Sequence, residues 1–141
     1  MSKFVIDESF WDIFPDAEIG VVLAKGIDNT LADTADVRSD IRSLLEQSQR
    51  EAKKFLTEAV WHENPVIAVW RDAYRQFKTK KGARCSIEAL LKRVDTERGI
   101  GSINPLVDIS NAVSLHYGTA VWGRRPGYVS GESSPDEDAG P

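Results

Sequence analysis

The apolar periodicity of this chain stops at Gly118. Before it, apolar side chains recur in runs and at helical steps. After it, Gly123, Gly127, Gly131 and Gly140 alternate with Pro126, Pro135 and Pro141, and the chain closes on an acidic, serine-rich stretch. A segment with no apolar face cannot bury enough surface to offset the entropy of ordering it. Any core must therefore be built from residues 1–118, which is enough for one domain and hardly two. The reading is a domain over 1–118 and a disordered tail over 119–141.

Two patterns alternate within the first 118 residues. Phe4-Val5-Ile6 reads as a short edge strand, and residues 9–14 as one or two helical turns closed by Pro15. The run Glu-Ile-Gly-Val-Val-Leu-Ala-Lys-Gly-Ile over 18–27 is nearly continuous and β-branched, which predicts a buried strand. Val37, Ile41, Leu44, Leu45, Ser48, Ala52, Phe55 and Leu56 then mark an amphipathic helix capped by Asp33 or Thr34. Asn64-Pro65 opens a helix whose stripe is Val66, Val69, Trp70, Ala73 and Phe77. Ser86 is expected to cap the next, with Ile87, Leu90, Leu91 and Val94 inward. Asn104-Pro105 starts the last, with Leu106, Ile109, Val113 and Tyr117 on one side and Gly118 as its stop. Strands alternating with helices predict an α/β fold, a mixed sheet packed by helices.

Bulk properties exclude several classes. The formal net charge of -4 does not suit a protein that coats nucleic acid along its whole surface. Cys85 is the one cysteine, so no internal disulfide forms. The opening residues carry acids rather than a long apolar run, and no stretch reaches the roughly 18 apolar residues of a membrane span. A cytoplasmic protein without membrane contact is expected. His62 and His116 have no nucleophile in a suitable relation to either, and no histidine–cysteine cluster has the spacing of a metal site. No glycine loop opens a helix as a phosphate or dinucleotide motif would. Neither a metal, a cofactor nor a catalytic residue is assigned. Cys85 has basic neighbours, Lys81 and Arg84, that would favour a thiolate, but a lone cysteine is ordinarily a small buried hydrophobe.

One electrostatic feature remains. Arg71, Arg75, Lys78, Lys80, Lys81, Arg84, Lys92 and Arg93 crowd into a chain that is otherwise acidic. Such clusters bind phosphate backbones by charge neutralisation and counterion release. They equally form solvated surface that balances acids elsewhere. Trp70, Tyr74 and Phe77 interleave with them at helical spacing, which favours core positions over base-stacking platforms.

The segment Ile103-Asn104-Pro105-Leu106-Val107-Asp108-Ile109-Ser110-Asn111-Ala112-Val113 resembles a stretch of the B3/B4 domain of the phenylalanyl-tRNA synthetase β subunit. Stand-alone bacterial B3/B4 proteins look closer still, sharing the blocks 78–93 and 10–16, and the likeness runs over about 4–118. The resemblance implies an α/β B3/B4-like fold with its C-terminal strands missing here. It also implies a tRNA partner, and in an intact product a trans-acting aminoacyl-tRNA deacylase related to the editing domain. A protein-interaction or amino-acid-binding domain without RNA is the remaining alternative. Asn104, Pro105, Asp108 and Asn111 match the family motif. The editing pocket's main contributors lie downstream in the family, so no editing residue carries over. Asp108 and Asn111, three apart on one helix face, suit structural hydrogen bonding.

The family continues after this point as approximately Leu-Pro-x-Gly-Gly-Asp-Asp-Leu-Asp. Reading the codons of residues 119–136 one base out of frame from Gly118 allows Leu-Pro-Cys-Gly-Gly-Asp-Asp-Leu-Asp-Thr-Tyr-Gln-Gly-Asn-Leu-Arg-Leu-Thr. Each shifted codon permits only a few residues, so agreement through the run points to one extra base at Gly118, in the gene or in its reading. Such a product would be poorly stable, having lost part of its core. Resequencing the gene through this codon is expected to find the extra base absent or to fix it as real; a tail encoded in frame by unrelated codons removes the explanation.

Overall fold

The computed structural model describes residues 4–30 and 34–123. Five α-helices follow in order: α1 (Glu8–Ile13), α2 (Ala35–Ala52), α3 (Pro65–Tyr74), α4 (Ser86–Asp95) and α5 (Pro105–Tyr117). Short 3₁₀ turns at Lys53–Phe55 and Trp61–Glu63 lie between α2 and α3. No strand occurs among the described residues. This overturns the expected α/β fold with its mixed sheet.

The correction centres on residues 4–6 and 18–27. Both are irregular chain, and Val22, at the centre of the longer run, is 94% exposed. Ile19, Val21, Leu23 and Ile27 are exposed with it, as are Phe4 and Val5. A strand is defined by its partner, and β-propensity expresses how a side chain packs on a half-buried pleated surface. The described residues offer these runs neither a ladder nor an apolar layer. Their composition therefore does not translate into structure.

The core is held by helices. Leu45 and Ala52 of α2, Ile67 of α3, Ile87, Leu91 and Val94 of α4, and Ala112 and Leu115 of α5 are buried together, with Cys85 just before α4. Phe55, Leu56, Trp61 and Trp70 pack around them. The most extensive contact joins α2 to α5. The buried positions of these two helices include four small residues, Ser48, Ala52, Ala112 and Ser114, beside Leu45, Asp108 and Leu115, and small residues let two helix axes approach closely.

The buried faces differ from the predicted stripes in two helices. In α5 the expected face of Leu106, Ile109, Val113 and Tyr117 is exposed, and Asp108, Ala112, Ser114 and Leu115 turn inward instead. The inward face thus combines one large apolar residue, Leu115, with small residues and a hydrogen-bonded acid, so hydropathy alone does not select it. In α3 the buried residue is Ile67, while Val69 is exposed and Phe77 lies beyond the helix end. α2 ends at Ala52, and Phe55 and Leu56 reach the core from the turn that follows.

Caps also follow their own logic. Thr34 caps α2, accepting from the Val37 N–H, and Asn104 caps α5, accepting from the Val107 N–H at 2.9 Å. Asn64 does not use its side chain to cap α3: fully buried, it accepts from the Glu58 N–H and donates to the Trp61 carbonyl, both at 2.9 Å. It thereby closes the loop around the second 3₁₀ turn. Cys85, rather than Ser86, occupies the cap position of α4 and makes no side-chain hydrogen bond there.

α5 stops at Gly118, which adopts φ 64° and ψ 39°. Only glycine enters this left-handed region without steric cost. A Cβ there would also lie 2.8 Å from Cε1 and Cζ of Phe55. Thr119 and Ala120 remain docked: the Thr119 N–H donates to the Ser114 carbonyl, the Ser114 hydroxyl donates to the Thr119 carbonyl, and Ala120 packs on the core. The tail expected over 119–141 lies, from residue 124 onward, outside the described residues. Gly118→Ala is expected to destabilise the chain by about 2 kcal/mol, combining left-handed strain with displacement of Phe55. Urea denaturation measures this, and an unchanged midpoint would contradict the Gly118–Phe55 contact.

Candidate nucleic-acid interface

The loop between α3 and α4 folds back against the end of α3 and the start of α4. Between them lies a cleft of about 420 Å³. Five basic side chains line it: Arg71 and Arg75 from the end of α3, and Lys80, Lys81 and Arg84 from the loop. Trp70, Tyr74 and Phe77 contribute aromatic surface, and Glu88 is the one carboxylate in the lining.

Glu88 organises this cluster. It sits in the first turn of α4 and is buried. Arg71, seventeen residues earlier, donates to it through Nε and Nη2, the latter at 2.6 Å from Oε1. The Trp61 indole N–H donates to the same Oε1 at 3.0 Å, and Arg84 Nε lies 3.6 Å from it. One carboxylate thus joins a 3₁₀ turn, α3, the loop and α4. Burial pushes the Glu88 carboxyl up, but hydrogen bonds from Arg71 and Trp61 and the charges of Arg71 and Arg84 outweigh it and hold the group below the usual carboxylate range. The same contact raises the Arg71 guanidinium, against the opposing effect of burial. A bidentate pair with a second anchor fixes a planar guanidinium, leaving its remaining N–H donors for the cleft.

The other basic residues are more exposed than Arg71. Arg75 pairs with Asp72 on the exposed surface, and the Arg84 Nη1 donates to the Ala83 carbonyl at 2.8 Å. Lys80 and Lys81 stand exposed on the loop. The eight basic residues singled out in the sequence therefore divide. Five line the cleft, whereas Lys78, Lys92 and Arg93 do not. Lys92 instead places its Nζ 4.5 Å from the centre of the Trp61 ring, a cation–π contact on the far side of the same network.

The family-motif residues occupy a different place. Asn104 caps α5, Pro105 is its first residue, and Asp108 is buried, accepting from the Ser102 hydroxyl and from the Ile103 N–H at 2.9 Å. Asn29 accepts from the Leu106 N–H at 2.9 Å. Asn111 is half-buried one turn further along. These bonds build the turn into α5, a structural task. Asn104, Pro105 and Asp108 also border a second cavity of about 300 Å³ beside Arg38 and Arg42.

The candidate nucleophile and bases separate. Cys85 is buried, and burial pushes its thiol up, so the basic loop does not produce a thiolate. Tyr74 is raised as well, first by burial and then by Cys85. His116 lies across the α2–α5 contact, 3.0 Å from Glu51 on the surface, far in sequence from the cleft residues. Among the described residues no group of histidine, cysteine or acidic side chains is placed to hold a metal, and no helix is long and apolar enough to cross a membrane.

Sequence reasoning missed Glu88 and Trp61. Glu88 carried only the signal of an acid in a first turn, favourable to the helix dipole. Its pairing with Arg71 depends on how α3 and α4 meet, which no local spacing reveals. No protein-family model, curated protein or solved structure matches this chain, so the likeness to B3/B4 domains rests on the residue blocks quoted above.

Glu88→Ala would leave the Arg71 guanidinium and the Trp61 indole without their acceptor. The expected loss is about 2–3 kcal/mol of stability. Because the Glu88 carboxyl is lower when folded than when unfolded, the stability it contributes is fully present above its ordinary value, 4.5, and is lost as pH falls through the folded value. Urea midpoints measured from neutral pH down into acid should therefore fall in the wild type, and fall less steeply in Glu88→Ala. Parallel slopes in the two proteins would remove Glu88 from this role.

Proposed function

We propose that this chain binds RNA, with tRNA as the class the resemblance implies, through the cleft between α3 and α4. One observation carries the reading. In a protein of net charge -4, five cationic side chains line one concavity whose lining holds a single carboxylate, Glu88, already engaged by Arg71, while Arg75 pairs with Asp72 outside it. Mutual repulsion opposes such clustering, and a polyanion relieves it. Phosphates are the groups that a fixed guanidinium and exposed lysines recognise together, the first by geometry and the second as point charges.

The division of labour follows from the contacts. Arg71, held by Glu88, supplies a donor edge in a constant place. Lys80, Lys81 and Arg84, on a loop that turns at Gly82 with φ 80°, adapt to the path of a backbone. Binding of this kind falls steeply with salt, since each neutralised phosphate releases counterions.

Replacing Lys80, Lys81 and Arg84 together by alanine is expected to weaken tRNA binding at least about tenfold at low salt. It should also reduce the slope of log K against log salt by roughly 2, the share of three phosphate contacts. Fluorescence anisotropy with labelled tRNA across a salt series reads both quantities. Lys92→Ala with Arg93→Ala, outside the cleft, should leave the slope nearly unchanged. Unaltered binding by the triple variant would defeat the proposal.

A further inference from the structure

The cleft is unlike a surface that merely tracks phosphates. Phe77 lies past the end of α3, 40% exposed, in the wall of a cavity that five cationic side chains also line. Its ring meets Tyr74 and Phe14 at steep angles, with centroids 5.6 and 6.1 Å away, and it is not among the residues packed on the core. A large apolar ring in this position gains little from burial, yet its neighbours hold it in the lining that Arg71 and Arg84 share. The volume of about 420 Å³ falls within the range of small-ligand pockets.

A duplex presents its phosphates on a convex surface and keeps its bases stacked inside. It would touch only the rim of such a concavity. An unpaired nucleotide brings an anionic phosphate and a free aromatic face together, and single-stranded recognition pairs cationic grooves with stacking side chains for this reason. The geometry points to one unpaired nucleotide as the ligand of this cleft, its phosphate on Arg71 and Arg84 and its base against Phe77. This rests on the RNA-binding reading and narrows it from a backbone to a single-stranded nucleotide. Glu88 is then a positioning residue: it sets the Arg71 guanidinium at a fixed place relative to the ring, so that phosphate and base are recognised as one unit.

Calorimetric titration of the full chain tests this with adenosine monophosphate, inorganic phosphate, adenosine, a single-stranded oligoribonucleotide and a blunt RNA duplex. The nucleotide is expected to bind at least about tenfold more tightly than phosphate or adenosine alone, within the range that stacking of one base supplies. It should displace the single strand. Phe77→Ala, its helicity checked by circular dichroism, should reduce the nucleotide to the affinity of phosphate. If RNA binds but the nucleotide is held no more tightly than phosphate, or the duplex is preferred, the nucleotide pocket is wrong while RNA binding stands. If Phe77→Ala folds and binds the nucleotide unchanged, the stacking assignment is wrong. If neither RNA nor nucleotide binds, both readings fall together.

Discussion

The arrangement of α3, α4 and the turns around them depends on one buried carboxylate. Glu88 accepts from Arg71 and from Trp61, and Arg84 stands close by. An ionised group out of water is tolerated only when its lone pairs are used, and here they are. The interaction is not chiefly a source of stability, since apolar residues of similar volume would pack at lower electrostatic cost. What it provides is register. An α3 rotated by one residue would carry Arg71 away from Glu88 and leave the buried carboxylate without its main partner. The same register delivers Arg75 and the 78–84 loop to one rim, so the geometry of the cleft follows from the pair that lies beneath it.

A second constraint acts where α2 meets α5. α2 and α5 bury four small residues, Ser48, Ala52, Ala112 and Ser114, besides Leu45 and Leu115, and α5 terminates where Gly118 faces the Phe55 ring. Close helix packing of this kind tolerates little added volume. It also explains why α5 turns a polar residue inward. Asp108 is buried because Ser102 and the Ile103 N–H satisfy it, and that satisfaction fixes the loop from α4 into α5. The side of α5 with the larger apolar residues is left facing outward as the geometric consequence.

The helices were legible in the sequence because their signals are local. Asn104-Pro105, Gly118, and the spacing of Ile87, Leu91 and Val94 each report on a few neighbouring residues. Buried faces were legible only where hydropathy and size agree, as in α4. In α5 they disagree, and the tight contact with α2 decided the outcome. The run at 18–27 misled for a related reason: its β-branched residues declare what they would do beside a partner, and the described residues contain none. The basic half of the cleft was visible as composition between residues 71 and 93. Its organising carboxylate was not, because a seventeen-residue separation across a helix–loop–helix leaves no trace in periodicity. Phe77 was assigned to the core by its helical step, and the early end of α3 at Tyr74 removed it from that helix.

Two surfaces of this chain stand out, and they differ in what they ask of a partner. The apolar residues of 18–27 and of the outer side of α5 would accept almost any hydrophobic cover, so their exposure alone identifies nothing. The cleft is more demanding. Its cations are concentrated against the sign of the whole protein, one of them is fixed by a buried acid, and an exposed ring stands beside them. Neutralising that charge requires an anion, fixing a guanidinium favours a planar or tetrahedral oxyanion, and the ring favours a second planar group attached to it. Few classes of molecule meet all three conditions at once. A nucleotide does, and that convergence, rather than the count of basic residues, is what supports the proposed reading.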